Sequence, residues 1–267
     1  MIREMLDKDL LHKNIDTSKY FLIGLGEDVQ VPLSEMESHP LFLAKRNELE
    51  ALEDGDAYYP FLIRYFLQPE FCEKQVNFYK ELKEFCNGKN YFILSTVTDD
   101  LIYSVFSEED HVVTPCGGYR KLQCSDSSHQ EIVDFPKDFW ENFCRWVEGK
   151  TTLSDIKLPT CPECGKLFSF NQVSSENYME DDYLTKWKLY TKWLEGTMNR
   201  DLMIMELGAG MMFPSVIRWP FEKLSFYNKK SCFYRVNETI PQLPDNKQEK
   251  AYSVDANPFE FVSEYLK

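Results

Sequence analysis

Five short apolar runs punctuate the chain, each rich in aromatic or β-branched residues and each followed by polar or turn-forming ones. They are Tyr20 to Gly24, Tyr91 to Ser95, Leu202 to Glu206, Cys232 to Val236 and Ala251 to Val254. Apolarity that is continuous over a few residues, not alternating, predicts strands buried on both faces. Between them the period changes. Cys72, Val76, Tyr79, Leu82 and Cys86 recur at helical spacing before a stop at Asn87-Gly88, and Leu184, Trp187, Tyr190 and Leu194 do the same before Gly196. Strands separated by helices predict an α/β fold with a doubly wound, mostly parallel sheet, because parallel crossovers need a dozen or more residues and are usually helical. Two stretches break the rhythm. Residues 32–70 are charged, helix-prone and punctuated by Pro32, Pro40, Pro60 and Pro69, and read as a helical insertion. Residues 120–175 carry weak strand and helix signals and four potential metal ligands, and read as a small separate module. That leaves 1–31, 71–119 and 176–267 for the doubly wound α/β domain. No internal repeat is visible.

Composition narrows the function classes. The 267 residues hold 30 Lys and Arg against 44 Asp and Glu, a formal charge of −14. Such a chain repels phosphate backbones and anionic lipid, so no nucleic-acid or membrane partner is expected. Acidic residues among Met1 to Asp9 stand where a secretion signal would carry its apolar core. Eight cysteines, two of them in Cys161-Pro-Glu-Cys164, suit a metal knuckle better than a disulfide framework, and a reduced, cytoplasmic location is expected. Trp140, Trp146, Trp187, Trp193 and Trp219 are expected in the core, and the acids from Glu48 to Asp56 on a solvated helix face and the following turn.

In open α/β sheets ligands bind beyond the carboxyl ends of the strands. The residues there are Gly24-Leu-Gly26, Thr96 to Asp99, Gly208-Ala-Gly210, Arg235-Val-Asn237 and Asp255. Glycine lets backbone approach a phosphate, and Asn or Asp can hold a ribose hydroxyl, although Gly24 and Gly26 equally suit a tight turn. A metal-like set is formed by Cys124, Cys161 and Cys164, with His129 five residues after the first. Structural zinc wants four tetrahedral Cys or His ligands, so the fourth position falls to His129, to a water or to nothing. The alternative is a metal-free turn.

Several of these segments resemble those of sirtuins. Lys89 to Asp99 is similar to the strand and loop of the family's Thr-x-Asn-x-Asp motif, Cys116-Gly-Gly to its His-Gly segment eight residues before the first zinc cysteine, and Leu158 to Gly165 to its second zinc pair. Glu206-Leu-Gly-Ala-Gly through Pro220-Phe221 looks most like the macrodomain-linked, class M bacterial sirtuins. The resemblance spans residues 15–260 in the family's order. It implies a dinucleotide-binding domain with an inserted zinc-ribbon-like module and a helical module. It also implies NAD or ADP-ribose as ligand, zinc as a structural metal, and a protein substrate or partner. Gly24, Gly26, Asp99, Gly208, Gly210, Asn237 and Asp255 become the expected dinucleotide contacts, and Cys124, His129, Cys161 and Cys164 the expected metal ligands.

The departures from the pattern fall at its working positions. Leu25, Glu27 and Asp28 replace small residues of the first phosphate loop. Val97 stands for the motif's Asn, Cys116 for the general-base His, Met212 for an Asn of the second loop, and Ser128 for a zinc cysteine. A thiol with a reference pKa near ~8.5 is mostly protonated at neutral pH and is a poor base. The expectation is a sirtuin-like protein with a degenerate NAD site that senses a nucleotide or binds a partner. The alternatives are an active NAD-dependent ADP-ribosyltransferase or deacylase of the class M type, and a hydrolase using Cys116 with His111 or His129.

Overall fold

The computed structural model describes residues 6–107, 111–126, 128–129, 131–245 and 248–267, so Met1 to Met5 of the acidic N-terminal reading lie outside the described residues. Its elements in chain order are α1 (Lys8–Thr17), β1 (Tyr20–Leu25), α2 (Leu33–Glu37), α3 (Pro40–Glu50), α4 (Tyr59–Phe66), α5 (Glu73–Cys86), β2 (Tyr91–Ser95), β3 (Val112–Val113), β4 (Gly117–Cys124), β5 (Ile132–Asp134), α6 (Lys137–Val147), β6 (Phe168–Gln172), α7 (Asp181–Gly196), β7 (Leu202–Leu207), α8 (Arg218–Tyr227), β8 (Cys232–Val236), β9 (Ala251–Val254) and α9 (Pro258–Tyr265).

All five apolar runs become strands of one six-stranded sheet in the order β3-β2-β1-β7-β8-β9, and every pairing in it is parallel. The two-residue β3 carries too little pattern to be read from sequence. Continuous apolarity has the expected cause, since alternate residues of each strand enter different cores. Phe21, Ile23 and Leu25 of β1 join Met203, Met205 and Leu207 of β7 and Tyr234 of β8 on one face, against α5 and α9. Leu22, Ile204 and Phe233 point the other way, against Tyr190 of α7 and Phe221 of α8.

The small antiparallel sheet has the order β5-β4-β6. Helix α6 leaves it to pack on α4, with the Phe61 and Phe139 ring centroids 4.9 Å apart. Phe139, Phe143, Trp146 and Val147 are its buried residues. Of the tryptophans, Trp146 is buried in the core, but Trp219 is 48% exposed because it lies in the first turn of α8 on the side away from Phe221 and the sheet.

Candidate functional site at the strand ends

Strands β1, β7 and β8 end in register, with Leu25 beside Leu207 and Leu207 beside Val236. Gly26, Gly208 and Asn237 therefore leave the sheet side by side. Their amides are already committed: Gly26 N–H donates to Leu207 O (3.0 Å), Gly208 N–H to Val236 O (2.9 Å) and Asn237 N–H to Val254 O (3.1 Å). The glycines are needed for contacts within the chain. A Cβ at Gly24 would come within 2.6 Å of Ile217 and Phe221, and one at Gly26 would collide with the backbone of Ala209. Gly208 adopts φ +66°, a left-handed conformation that suits glycine.

The space those glycines open is filled by Glu27 and Asp28. A Cβ on Gly210 would strike Glu27 Oε1, and one on Gly208 would lie 2.7 Å from Asp28 Cβ. Glu27 Oε1 accepts the Met212 N–H (3.1 Å), while Asp28 N–H donates to Gly208 O (3.1 Å). Asn237 Nδ2 donates to Asp28 Oδ2 (2.8 Å), and Asn237 Oδ1 accepts from Thr239 N (2.8 Å) and Ile240 N (2.7 Å), so its amide is engaged at both ends. Burial, with Glu27 and Glu238 nearby, pushes the Asp28 carboxyl above its ordinary value. A phosphate site needs unspent N–H groups and positive potential. Here the Glu27 carboxylate sits on the Met212 amide and the Asp28 carboxylate on the Asn237 side chain, and this negative charge fits a dinucleotide pyrophosphate poorly.

The remaining expected residues are dispersed around the cleft. Asp99 is buried past β2, where Oδ2 accepts from Val31 N (3.2 Å) and Oδ1 from Leu101 N (3.0 Å); burial raises its pKa to about 6 against those two bonds. Val97 is buried. Cys116 lies just before β4, 2% exposed, and burial with nearby Glu27 pushes its thiol up to about 12. That direction works against a role as base or nucleophile near neutrality. The His111 ring stacks on Phe92 (centroids 5.4 Å apart), and His129 sits with Cys161. Asp255 is exposed just past the edge strand β9. Met211 and Met212 form an exposed apolar rim, 59% and 65% accessible.

Sequence reasoning missed a buried charge network beneath the loops. Glu206 of β7 is fully buried, with Oε1 2.7 Å from Arg235 Nε and Oε2 3.0 Å from Arg235 Nη2. Arg235 also pairs with Glu222 (2.7 Å) and donates to Gln242 O (2.7 Å). Arg218 donates to Ala209 O (3.1 Å) and Ile240 O (2.9 Å), tying the second glycine loop to the segment after β8. Its signal was a charged residue inside each of two apolar strands, one acidic and one basic.

At the far end of the small sheet, ligand atoms of Cys124, His129, Cys161 and Cys164 all lie within 4.8 Å of one another. The Cys124 and Cys164 sulfurs are 3.5 Å apart, and Cys161 Sγ is 3.8 Å from His129 Nδ1. Zinc–sulfur bonds of about 2.3 Å around a tetrahedron bring ligand atoms to such separations, so the set fits a Cys3His zinc site. His129 is placed to supply the fourth corner. Ser128 instead hydrogen-bonds Asp126 (2.7 Å).

A six-stranded parallel sheet carrying an inserted small sheet with this cluster defines a sirtuin-like α/β protein. The chain has the sirtuin fold: it matches Sir2Tm bound to a propionylated peptide with a TM-score of 0.54 at 14% identity, over 97% of this chain and 96% of that one. A second sirtuin structure, solved to explain sirtuin substrate affinity, matches with a TM-score of 0.53 at 14% identity, over 98% of each chain. In sequence the chain is 22% identical over 259 residues to a protein ADP-ribosyltransferase of Staphylococcus aureus, covering 91% of this chain and 81% of the relative. It is 28% identical over 149 residues to a probable bifunctional ADP-ribose hydrolase/ADP-ribosyltransferase of Fusarium oxysporum f. sp. cubense, covering 51% of this chain and 24% of that protein. No protein-family model matches. Among the described residues no helix is long and apolar enough to cross a membrane.

Proposed function

We propose that this chain is a sirtuin-fold protein whose dinucleotide site has lost its reaction, and that it acts by binding a partner protein or sensing a nucleotide. The observation that carries this reading is the placement of Glu27 and Asp28. One carboxylate rests on the Met212 amide over Gly210, and the other on the Asn237 side chain. The buried, protonated thiol of Cys116 and the apolar Val97 support it, because neither can activate a ribose hydroxyl or position a water. Calorimetric titration with ADP-ribose and with NAD tests the site. Saturable binding of either nucleotide without turnover agrees with the sensing role, weak or absent heats agree with the partner-binding role, and turnover of NAD refutes the proposal.

A second reading is favoured by the relative from Staphylococcus aureus, whose similarity runs through nearly the whole chain. In that reading the protein transfers ADP-ribose from NAD to a protein substrate once Glu27 and Asp28 swing into water. It requires incorporation of a tagged NAD into a protein and loss of that label in Asn237→Ala. Absence of label with the wild type counts against it.

A further inference from the structure

Away from the strand-end cleft, a groove runs between the C-terminal end of α3 with its following turn and the segment 151–154 after α6, with a free space of ≈ 570 Å³. That is within the range of about 300–1,000 Å³ typical of clefts that bury a ligand. Its apolar wall holds Leu52, 48% exposed, with Tyr58 and Leu153. Its acids are Glu48, Glu53 and Asp54, and Lys45 is the one cation among its described lining residues. Lys45 is already spent, since its Nζ lies 3.0 Å from Glu48 and 4.7 Å over the Trp146 ring. Glu53 and Asp54 are exposed, and their carboxylates have no partner among the described residues.

The outer face of α8 has the opposite character. Trp219, Lys223, Phe226 and Tyr227 recur at helical spacing, which sets them on one side of the helix. The three rings are 48%, 41% and 67% exposed. Lys223, and Lys230 in the turn after the helix, are exposed and have no partner among the described residues, whereas Lys229 lies over the Phe226 ring (4.3 Å). Glu222, the one acid of α8, pairs with Arg235 (2.7 Å). Exposed aromatic rings rimmed by polar residues mark interaction surfaces, and Trp and Tyr are favoured anchors there. In a chain of net charge −14, a face whose free charges are lysines stands out.

We propose that the α8 face of one copy of this chain docks into the groove of a second copy. Phe226 and Tyr227 enter beside Leu52 and Leu153, while Lys223 and Lys230 meet Glu53 and Asp54. Charge complementarity selects this occupant: the groove calls for cations, the α8 face calls for acids, and one chain carries both halves. An anionic lipid surface fits α8 less well, because it repels the rest of so acidic a chain. The contact joins two different patches, so it runs head to tail and builds rings or open chains of copies. The groove is small beside a stable interface of about 20–30 residues a side, and association in the micromolar range is expected. It is independent of the strand-end cleft and of whatever that cleft binds.

The test is sedimentation equilibrium of the full chain into the high micromolar range, at about 50 mM and about 500 mM salt. The mass should rise with concentration at low salt, and the apparent affinity should fall by at least about tenfold at high salt. Tyr227→Asp on α8 and Leu52→Asp in the groove, both at exposed positions, should each stay monomeric with an unchanged melting temperature. Mixed together they should form a dimer and nothing larger, because the intact α8 face of the Leu52→Asp variant fits the intact groove of the Tyr227→Asp variant. Lys223→Glu and Glu53→Lys should show the same pattern, which keeps the test open if either aspartate lowers the melting temperature. The proposal is overturned by a wild type that stays monomeric, by association as strong at high salt as at low, by self-association persisting in the folded variants, or by a mixture that stays monomeric. A monomeric wild type that pellets with phosphatidylserine vesicles overturns it in favour of a lipid surface.

Discussion

Two like charges about 4 Å apart repel by roughly 4 kcal/mol at an effective dielectric near 20, and half of that is already more than a tenfold loss in affinity. Under the proposed function, Glu27 and Asp28 would set charges of this kind against a phosphate brought to the glycine loops. Replacing both with serine should therefore raise ADP-ribose affinity by at least about tenfold, measured by calorimetry against the wild type. Their sign was legible in the sequence, but their effect on the glycines was not. Gly26, Gly208 and Gly210 read as room for a ligand, whereas the chain uses that room for Ala209, Asp28 and Glu27. Asp99 gives a second prediction at this scale. Its pKa is raised from 3.8 to about 6 by burial, so between those values the folded chain keeps a proton that the unfolded chain releases. Asp99's contribution to stability is greatest below pH 4 and is lost as pH rises through 6. Denaturant unfolding from pH 4 to 7 should show the wild type losing stability relative to Asp99→Asn across that window, and parallel curves would contradict it.

Among the elements, strands β7 and β8 are coupled through their charged members, Glu206 and Arg235. Arg235→Met leaves Glu206 buried beside only the more distant Arg218 Nη1 at 3.5 Å, and should cost about 3–5 kcal/mol in urea unfolding. Adding Glu206→Leu should recover much of that loss, because an apolar pair of similar volume avoids the uncompensated charge. In the small sheet, β4 and the turn before β6 bring together the Cys3His set, and metal analysis should find one zinc per chain. Cys161→Ser should lose that zinc and lower the melting temperature; unchanged metal content would contradict the assignment. The cysteine knuckle and His129 as a candidate fourth ligand were readable from spacing, whereas the choice between His129, a water and no ligand was not, since it depends on how β4 meets the turn before β6. Helix α6 was readable in principle. Phe139, Phe143, Trp146 and Val147 lie at helical spacing, but the cysteine motif beyond them drew the whole stretch into one metal module.

Over the whole molecule, the sheet was visible in advance because each strand feeds two cores, which forces an apolar side chain at nearly every position. Function was harder to see for a related reason. A fold is written in many buried residues, whereas the proposed loss of reaction rests on a few side chains whose positions depend on tertiary contact, as Glu27 on Met212 and Asp28 on Asn237 do. The sirtuin fold persists at 14% identity to its structural neighbours, so architecture alone does not vouch for chemistry. The most direct test is nicotinamide release from NAD by the purified, zinc-loaded chain, with and without candidate protein substrates. The proposed function predicts no release above the uncatalysed background, and sustained multiple-turnover release abolished by Asn237→Ala would contradict it.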